Sequence, residues 1–262
     1  MAEVIIVKSL DEAGELAAQH ITSLIQKKPD AVLGLATGST PLPVYKALHR
    51  RVQQHGVDLS RVRGFALDEY VGISPDHPQS YRTVITNEVV TPLGLNPDLV
   101  QTPRGELAGI RNAGERYDAD IRAAGGIDVQ ILGVGTSGHI GFNEPGSSLG
   151  SRTRVTTLTE QTRIDNARFF DSIDDVPTHS ITQGVGTILE ARHLILLAFG
   201  ERKAEVLARC VEGPVSSSIP GSAIQLHPHV TVLVDEAAAS QLVHADYYRR
   251  AFSNVPEWLA ES

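Results

Sequence analysis

Apolar residues along this chain fall into short unbroken runs separated by stretches of helical period. The runs Val4–Val7, Ala31–Leu35, Arg63–Leu67, Ile127–Leu132, His193–Phe199 and Val230–Val234 read as strands. Most are continuous rather than alternating, the pattern of strands covered on both faces. Between the first two, Ala13, Ala17, Ile21 and Leu24 recur on one helical face, with Ser9 and Glu12 as a capping box ahead of them. Val44, Leu48 and Val52 repeat the period after Pro41, and Glu201–Arg209 does so after Gly200. Strands alternating with helices predict an α/β fold, a doubly wound and mostly parallel sheet flanked by helices. Loops near 72–80, 91–105 and 213–222 are rich in Pro, Gly and Ser, but none is a long linker. With no internal repeat and no boundary, residues 1–262 read as a single domain.

Composition narrows the partners. The net charge is −8, from 23 basic and 31 acidic residues, which argues against a broad nucleic-acid surface. An anionic ligand would therefore need a local pocket of donors. No apolar stretch is long enough to span a bilayer, and the start Met-Ala-Glu-Val lacks the basic flank of a signal peptide. The single Cys210 excludes an internal disulfide framework. These features predict a cytoplasmic protein without membrane contact.

Four places could carry chemistry. Leu35-Ala-Thr37-Gly38-Ser39-Thr40-Pro41 lies between a strand and a helix, where free N–H groups and hydroxyls suit an anion. A turn with an N-cap explains it equally well, and the lysine of an ATP-type phosphate loop is absent. Leu67-Asp68-Glu69-Tyr70 sets carboxylates at a strand's carboxyl end, where one could act as a general base; a solvated acidic turn is the plain alternative. Gly133-Val-Gly135-Thr-Ser-Gly138 matches a dinucleotide fingerprint, but Gly141, Asn143 and Pro145 follow instead of a helix, so a nicotinamide cofactor is not expected. A better reading has this turn aim His139 and Glu144 into one cleft, the acid fixing the tautomer of an imidazole suited to moving protons. Finally, Arg168 and Lys203 could join the Thr37–Thr40 loop in an anion pocket; Lys203 sits in the first turn of its helix, where the dipole disfavours a cation unless an anion binds there. His227-Pro-His229 lacks an obvious third ligand and reads as a structural turn, not a metal site. Ser216–Ser218 reads as a loop without a nucleophile elbow.

Taken together, the segments Ala36–Pro41, Leu67–Gly72, Gly133-Val-Gly135, Gly138–Pro145, Ser148–Arg154, Arg168-Phe-Phe170 and Gln225–Pro228 resemble the glucosamine-6-phosphate deaminase family, in the family's order and over most of the chain. The resemblance implies a modified Rossmann-like fold. It implies conversion of glucosamine 6-phosphate to fructose 6-phosphate and ammonia, with no redox cofactor or metal. It assigns ring opening to His139 with Glu144 in support, the C2 proton transfer to Asp68, and the phosphate to Thr37, Gly38, Ser39, Thr40, Arg168 and Lys203. The implied partner is a small hexosamine phosphate, glucosamine or galactosamine, and a homo-oligomer stays open.

Two positions depart from the family pattern. Ser137 stands where studied members carry Asp, which shifts support for an imidazolium onto Glu144 and predicts a changed pH–rate profile with activity kept. Thr156 replaces the lysine that follows Arg-Thr-Arg in regulated members. Ser148 and Arg154 remain as a residual effector site, so activation by N-acetylglucosamine 6-phosphate is expected to be weak or absent. A 6-phosphogluconolactonase-like hydrolase is the nearest alternative enzyme, disfavoured by Phe142-Asn-Glu-Pro145 and the Leu67–Tyr70 turn. A sugar-phosphate-sensing regulator is the alternative of another class, disfavoured because the first strand begins almost at the start of the chain.

Overall fold

Six apolar runs become six neighbouring parallel strands. The computed structural model describes residues 3–254, so the first two and last eight positions of the expected 1–262 unit lie outside the described residues. In chain order the strands are β1 (Glu3–Val7), β2 (Val32–Leu35), β3 (Arg63–Ala66), β4 (Asp68–Tyr70) and β5 (Val100–Gln101), followed by β6 (Val129–Gly133), β7 (Arg154–Thr157), β8 (His179–Thr182), β9 (His193–Ala198) and β10 (Val230–Asp235). Seven of them form one sheet in the order β1-β10-β9-β6-β2-β3-β5, parallel at every pairing. The expected strand runs match within two residues at each end.

The order shows where the winding reverses. From β2 the chain steps outward to β3 and β5, whereas from β6 it steps the other way to β9 and β10. With right-handed crossovers, this puts the helices of the two halves on opposite faces. The switch point is the crevice between β2 and β6, the place where such sheets bind ligands.

Helix Leu10–Lys27 follows its sequence signal closely. The Ser9 hydroxyl accepts the Glu12 N–H at 3.1 Å, while the Glu12 carboxylate accepts the Lys8 N–H at 2.8 Å, one residue earlier than in the expected box. Ala13, Ala17 and Ile21 are buried on its inner face, and the helix packs on Leu42–His55, whose Val44 and Leu48 are buried in turn. The apolar core runs under the whole seven-stranded sheet.

A second sheet, β4-β8-β7, is antiparallel and was not expected from the apolar pattern. Its strands are short, and β7 alternates half-buried with exposed positions. The segment Asp68–Tyr70, for which a solvated acidic turn was the plain alternative, is a buried strand pairing Asp68 with Thr182. A separate aromatic cluster of Tyr70, Phe142 and Leu158, with Tyr81 and Phe170 against it, packs beside this sheet.

Candidate active site

The loops leaving β2 and β6 meet at the switch point, and the second sheet closes over them. Together they enclose a cavity of about 750 Å³ whose lining includes Thr37, Gly38, Ser39, Thr40, Asp68, His139, Arg168 and Lys203. Eight residues picked out separately in the sequence thus share one cavity.

His139 is seated by the glycine-rich bend. A Cβ on Gly135 would lie 2.0 Å from His139 Nε2, so only glycine leaves room for the ring there. The bend is tied by Gly135 N–H to His139 O at 2.9 Å, and Gly221 N–H to Gly138 O at 2.7 Å anchors it to the Pro220–Leu226 turn. No helix follows within residues 134–153, in agreement with the rejection of a dinucleotide turn. Behind the ring, Nδ1 lies 3.3 Å from Glu144 Oε2 and 3.0 Å from Ser137 Oγ, and the Ser137 hydroxyl reaches the same carboxylate oxygen at 3.3 Å. With Nδ1–H donating to this pair, Nε2 carries the lone pair of a base. Glu144 and Ser137 lie behind the imidazole rather than on the cavity lining.

Glu144 is almost fully buried. Burial pushes its carboxyl upward, but hydrogen bonding and charge from His139, with donors from Thr162 and Thr159, outweigh that and bring it down to about 2. It is therefore an anion at neutral pH, fit to hold an imidazolium.

Asp68 meets the opposite treatment. It is 6% exposed, and burial together with the charge of Glu69 drives its carboxyl up to about 8, against a smaller lowering by the nearby Phe142 N–H, which donates to Thr182 Oγ1 at 3.1 Å. Tyr70 and Tyr81 flank Phe142 at ring distances of 5.7 and 5.9 Å, an aromatic wall beside the carboxylate. Gly141 lies at a positive φ of 54°, and a Cβ there would come 2.9 Å from Thr182 Oγ1 and 3.4 Å from Asp68 Oδ2. The tight bend thus packs its backbone directly against the Asp68 carboxylate and the Thr182 hydroxyl.

The adjacent Glu69 is consumed structurally. Its carboxylate accepts the backbone N–H groups of Tyr70, Tyr81 and Arg82, each at 2.9 Å, and so caps the helix Tyr81–Ile85. The structure thereby decides between two neighbouring acids: Asp68 faces the cavity, and Glu69 holds a helix end.

On the anion side, Lys203 ends a short turn, Glu201–Lys203, and stands at the N-cap of Ala204–Val211 rather than inside that helix as expected. Its Nζ donates to Val134 O at 2.7 Å, and burial lowers its proton affinity, which Asp165 raises and Arg168 lowers further. Arg168 stacks over Phe169 at 4.7 Å. Among the described residues neither cation has a carboxylate within 4.0 Å, and the Leu42–His55 helix behind the Thr37–Thr40 loop starts without a side-chain cap. Two cations without a carboxylate partner beside a glycine-bearing loop can together accept an anionic group.

Ser148 and Arg154 lie away from the cavity. Arg154 donates to Asn143 Oδ1 at 2.9 Å and Ser147 Oγ at 3.0 Å, while the exposed Ser148 accepts the Gly150 N–H at 3.3 Å. His227 has both ring nitrogens occupied by backbone, at His229 and at Ala191 O, consistent with a structural turn. Thr159, Thr162, Tyr81 and Thr182 were missed from sequence, and Tyr70 and Phe142 were noted only as members of motifs, without a role. Of the four missed, Thr159 left a local trace, as a hydroxyl one residue ahead of the helix Glu160–Asn166.

Comparison with known proteins places this architecture. The family described as glucosamine-6-phosphate isomerases/6-phosphogluconolactonase matches residues 8–233. A glucosamine-6-phosphate deaminase of Bifidobacterium longum (strain DJO10A) is 59% identical over 267 residues, covering 98% of this chain and 99% of that protein. The solved structure of a monomeric glucosamine-6-phosphate deaminase superposes with a TM-score of 0.89 at 41% identity, over 92% of this chain and 100% of the other. The 6-phosphogluconolactonase of Trypanosoma brucei, at 20% identity and a TM-score of 0.74 over 93% and 99% of the two chains, shares the fold. The chain is thus a member of the glucosamine-6-phosphate isomerase/6-phosphogluconolactonase family.

Proposed function

We propose that this protein converts glucosamine 6-phosphate to fructose 6-phosphate and ammonia. The observation that carries the reading is the pairing, within one cavity, of a buried high-affinity carboxylate at Asp68 with an imidazole backed by an anion at His139. Ring opening requires removal of the anomeric hydroxyl proton and delivery of a proton to the ring oxygen. His139 Nε2 suits both transfers, and Glu144 stabilises the imidazolium between them. The open aldehyde makes the C2 hydrogen acidic. Asp68 takes it, and a carboxylate raised to about 8 is a far stronger base than an exposed one. Reprotonation at C1 turns the enolamine into a ketose imine, and water adds at C2 as ammonia departs, giving the ketone. Proton transfers and a hydrolysis suffice, so the steps call for no redox carrier.

The Thr37–Thr40 loop, Arg168 and Lys203 would hold the phosphate, using a group remote from the chemistry to position C1 and C2. A carboxylate base suited to C2 favours this reaction over lactone hydrolysis, which needs no such base. All these groups belong to one chain. We read residues 1–262 as one catalytic unit working in the cytoplasm; among the described residues no helix is long and apolar enough to cross a membrane. Purified protein given glucosamine 6-phosphate, galactosamine 6-phosphate or 6-phosphogluconolactone separates the readings. Ammonia and fructose 6-phosphate in stoichiometric amounts from the first support this one; lactone hydrolysis without ammonia release would replace it.

A further inference from the structure

Glu144 spends its two oxygens on different neighbours. Oε2 faces His139 and Ser137, whereas Oε1 accepts Thr159 Oγ1 at 3.2 Å, the Thr159 N–H at 3.4 Å and the Thr162 hydroxyl. Thr159 caps the helix Glu160–Asn166 by accepting the Thr162 N–H at 3.2 Å. At the other end of the helix, Asn166 Nδ2 donates to Tyr70 Oη at 3.0 Å, two residues along the strand from Asp68. The chain then passes directly into the turn Ala167–Phe169, which carries Arg168. One seven-residue helix therefore touches the support of His139 at its start and the phosphate pocket at its end.

Thr162 is 3% exposed, and a hydroxyl at that depth needs an acceptor. Its acceptor is the one carboxylate oxygen that the imidazole does not use. We propose that Thr162 is a positioning residue that holds Glu144 against His139 and couples the seating of a substrate phosphate at Arg168 to the readiness of the His139–Glu144 pair. This rests on the function proposed above. Displacing the helix would withdraw its hydroxyls from Oε1, leaving a buried carboxylate short of donors, which binds a proton more tightly and no longer supports the imidazolium. Phosphate contact would then raise turnover as well as affinity.

Thr162→Val keeps the branched shape and removes the hydroxyl; Thr162→Ser restores the hydroxyl. Valine is expected to lower kcat by ~10-fold, the loss of one hydrogen bond to a charged group, with KM changed less than about twofold. The acid limb of the pH–kcat profile is expected to move upward, and serine to recover most of both effects. The charged or titratable group facing Glu144 here is His139, with Ser137, Thr159 and Thr162 as neutral donors. Combining Thr162→Val with Arg168→Lys is expected to cost less in kcat than the product of the single losses, because both break one linkage. An active wild type with an unchanged valine variant, or a loss that serine leaves in place at equal melting temperature, would overturn the positioning role. Strictly multiplicative losses would overturn the coupling. Thr162→Ala provides a second hydroxyl-free variant if valine does not fold. Ammonia release by the wild type is measured in the same series, so its absence points to the functional reading instead.

Discussion

Asp68 supplies the sharpest prediction, because its catalytic use and its cost to the fold have opposite signs. Its carboxyl titrates near 8 in the folded protein against 3.8 in an open chain. Between those values the folded state holds a proton that the unfolded state has released, so stability falls as pH rises through the window. At 1.36 kcal/mol per unit, the contribution lost by pH 7 is about 4 kcal/mol relative to pH 3. Asp68→Asn removes that dependence. Urea unfolding of the two proteins across pH 4 to 9 should show the variant gaining on the wild type by about 1.4 kcal/mol per unit up to pH 8, then levelling. Activity should move the other way. At pH 7 only about a tenth of the free enzyme carries the ionised base, so kcat/KM should rise about tenfold toward pH 9. The asparagine variant should lose roughly 100- to 10,000-fold, the usual range for a general base. A pH-independent stability difference, or an asparagine variant within tenfold of wild type, would refute the assignment.

Other outcomes follow from the same geometry. Ser137→Asp sets a second carboxylate beside Glu144 and within reach of His139 Nδ1, so the cluster should hold protons more tightly and the acid limb of kcat/KM should rise by about one unit; an inactive wild type restored by this substitution would contradict the view that Glu144 suffices. Lys203→Met should raise KM at least ~10-fold with a smaller effect on kcat, and inorganic phosphate should compete with substrate in the wild type but weakly in the variant. With Thr156 on β7 and Arg154 already engaged by Asn143 and Ser147, rate curves should be hyperbolic with or without N-acetylglucosamine 6-phosphate; sigmoidal curves that this ligand straightens would show otherwise.

Six of the seven strands of the main sheet, the first helices and the loops that bear polar groups were legible in the sequence because each depends on neighbours in the chain. An apolar run of four to six residues buried on both faces announces itself locally, as does a hydroxyl ahead of a helical period. The same holds for the bend Gly133–Gly138, where the missing helix after the glycines was enough to set aside a dinucleotide site.

The crevice itself was decided by long-range pairing. That β2 and β6 are neighbours, with the chain winding away from them in both directions, follows from the strand order and from no single segment. The two- to four-residue strands β4, β5, β7 and β8 are too short to show a period, so the second sheet was invisible until distant partners met. Only that sheet separates Asp68 from Glu69: one acid is buried at the wall of the cavity, the other is engaged by three backbone donors. Residue type names a carboxylate; the dielectric and the donors gathered around it, set by tertiary packing, determine whether it is a base.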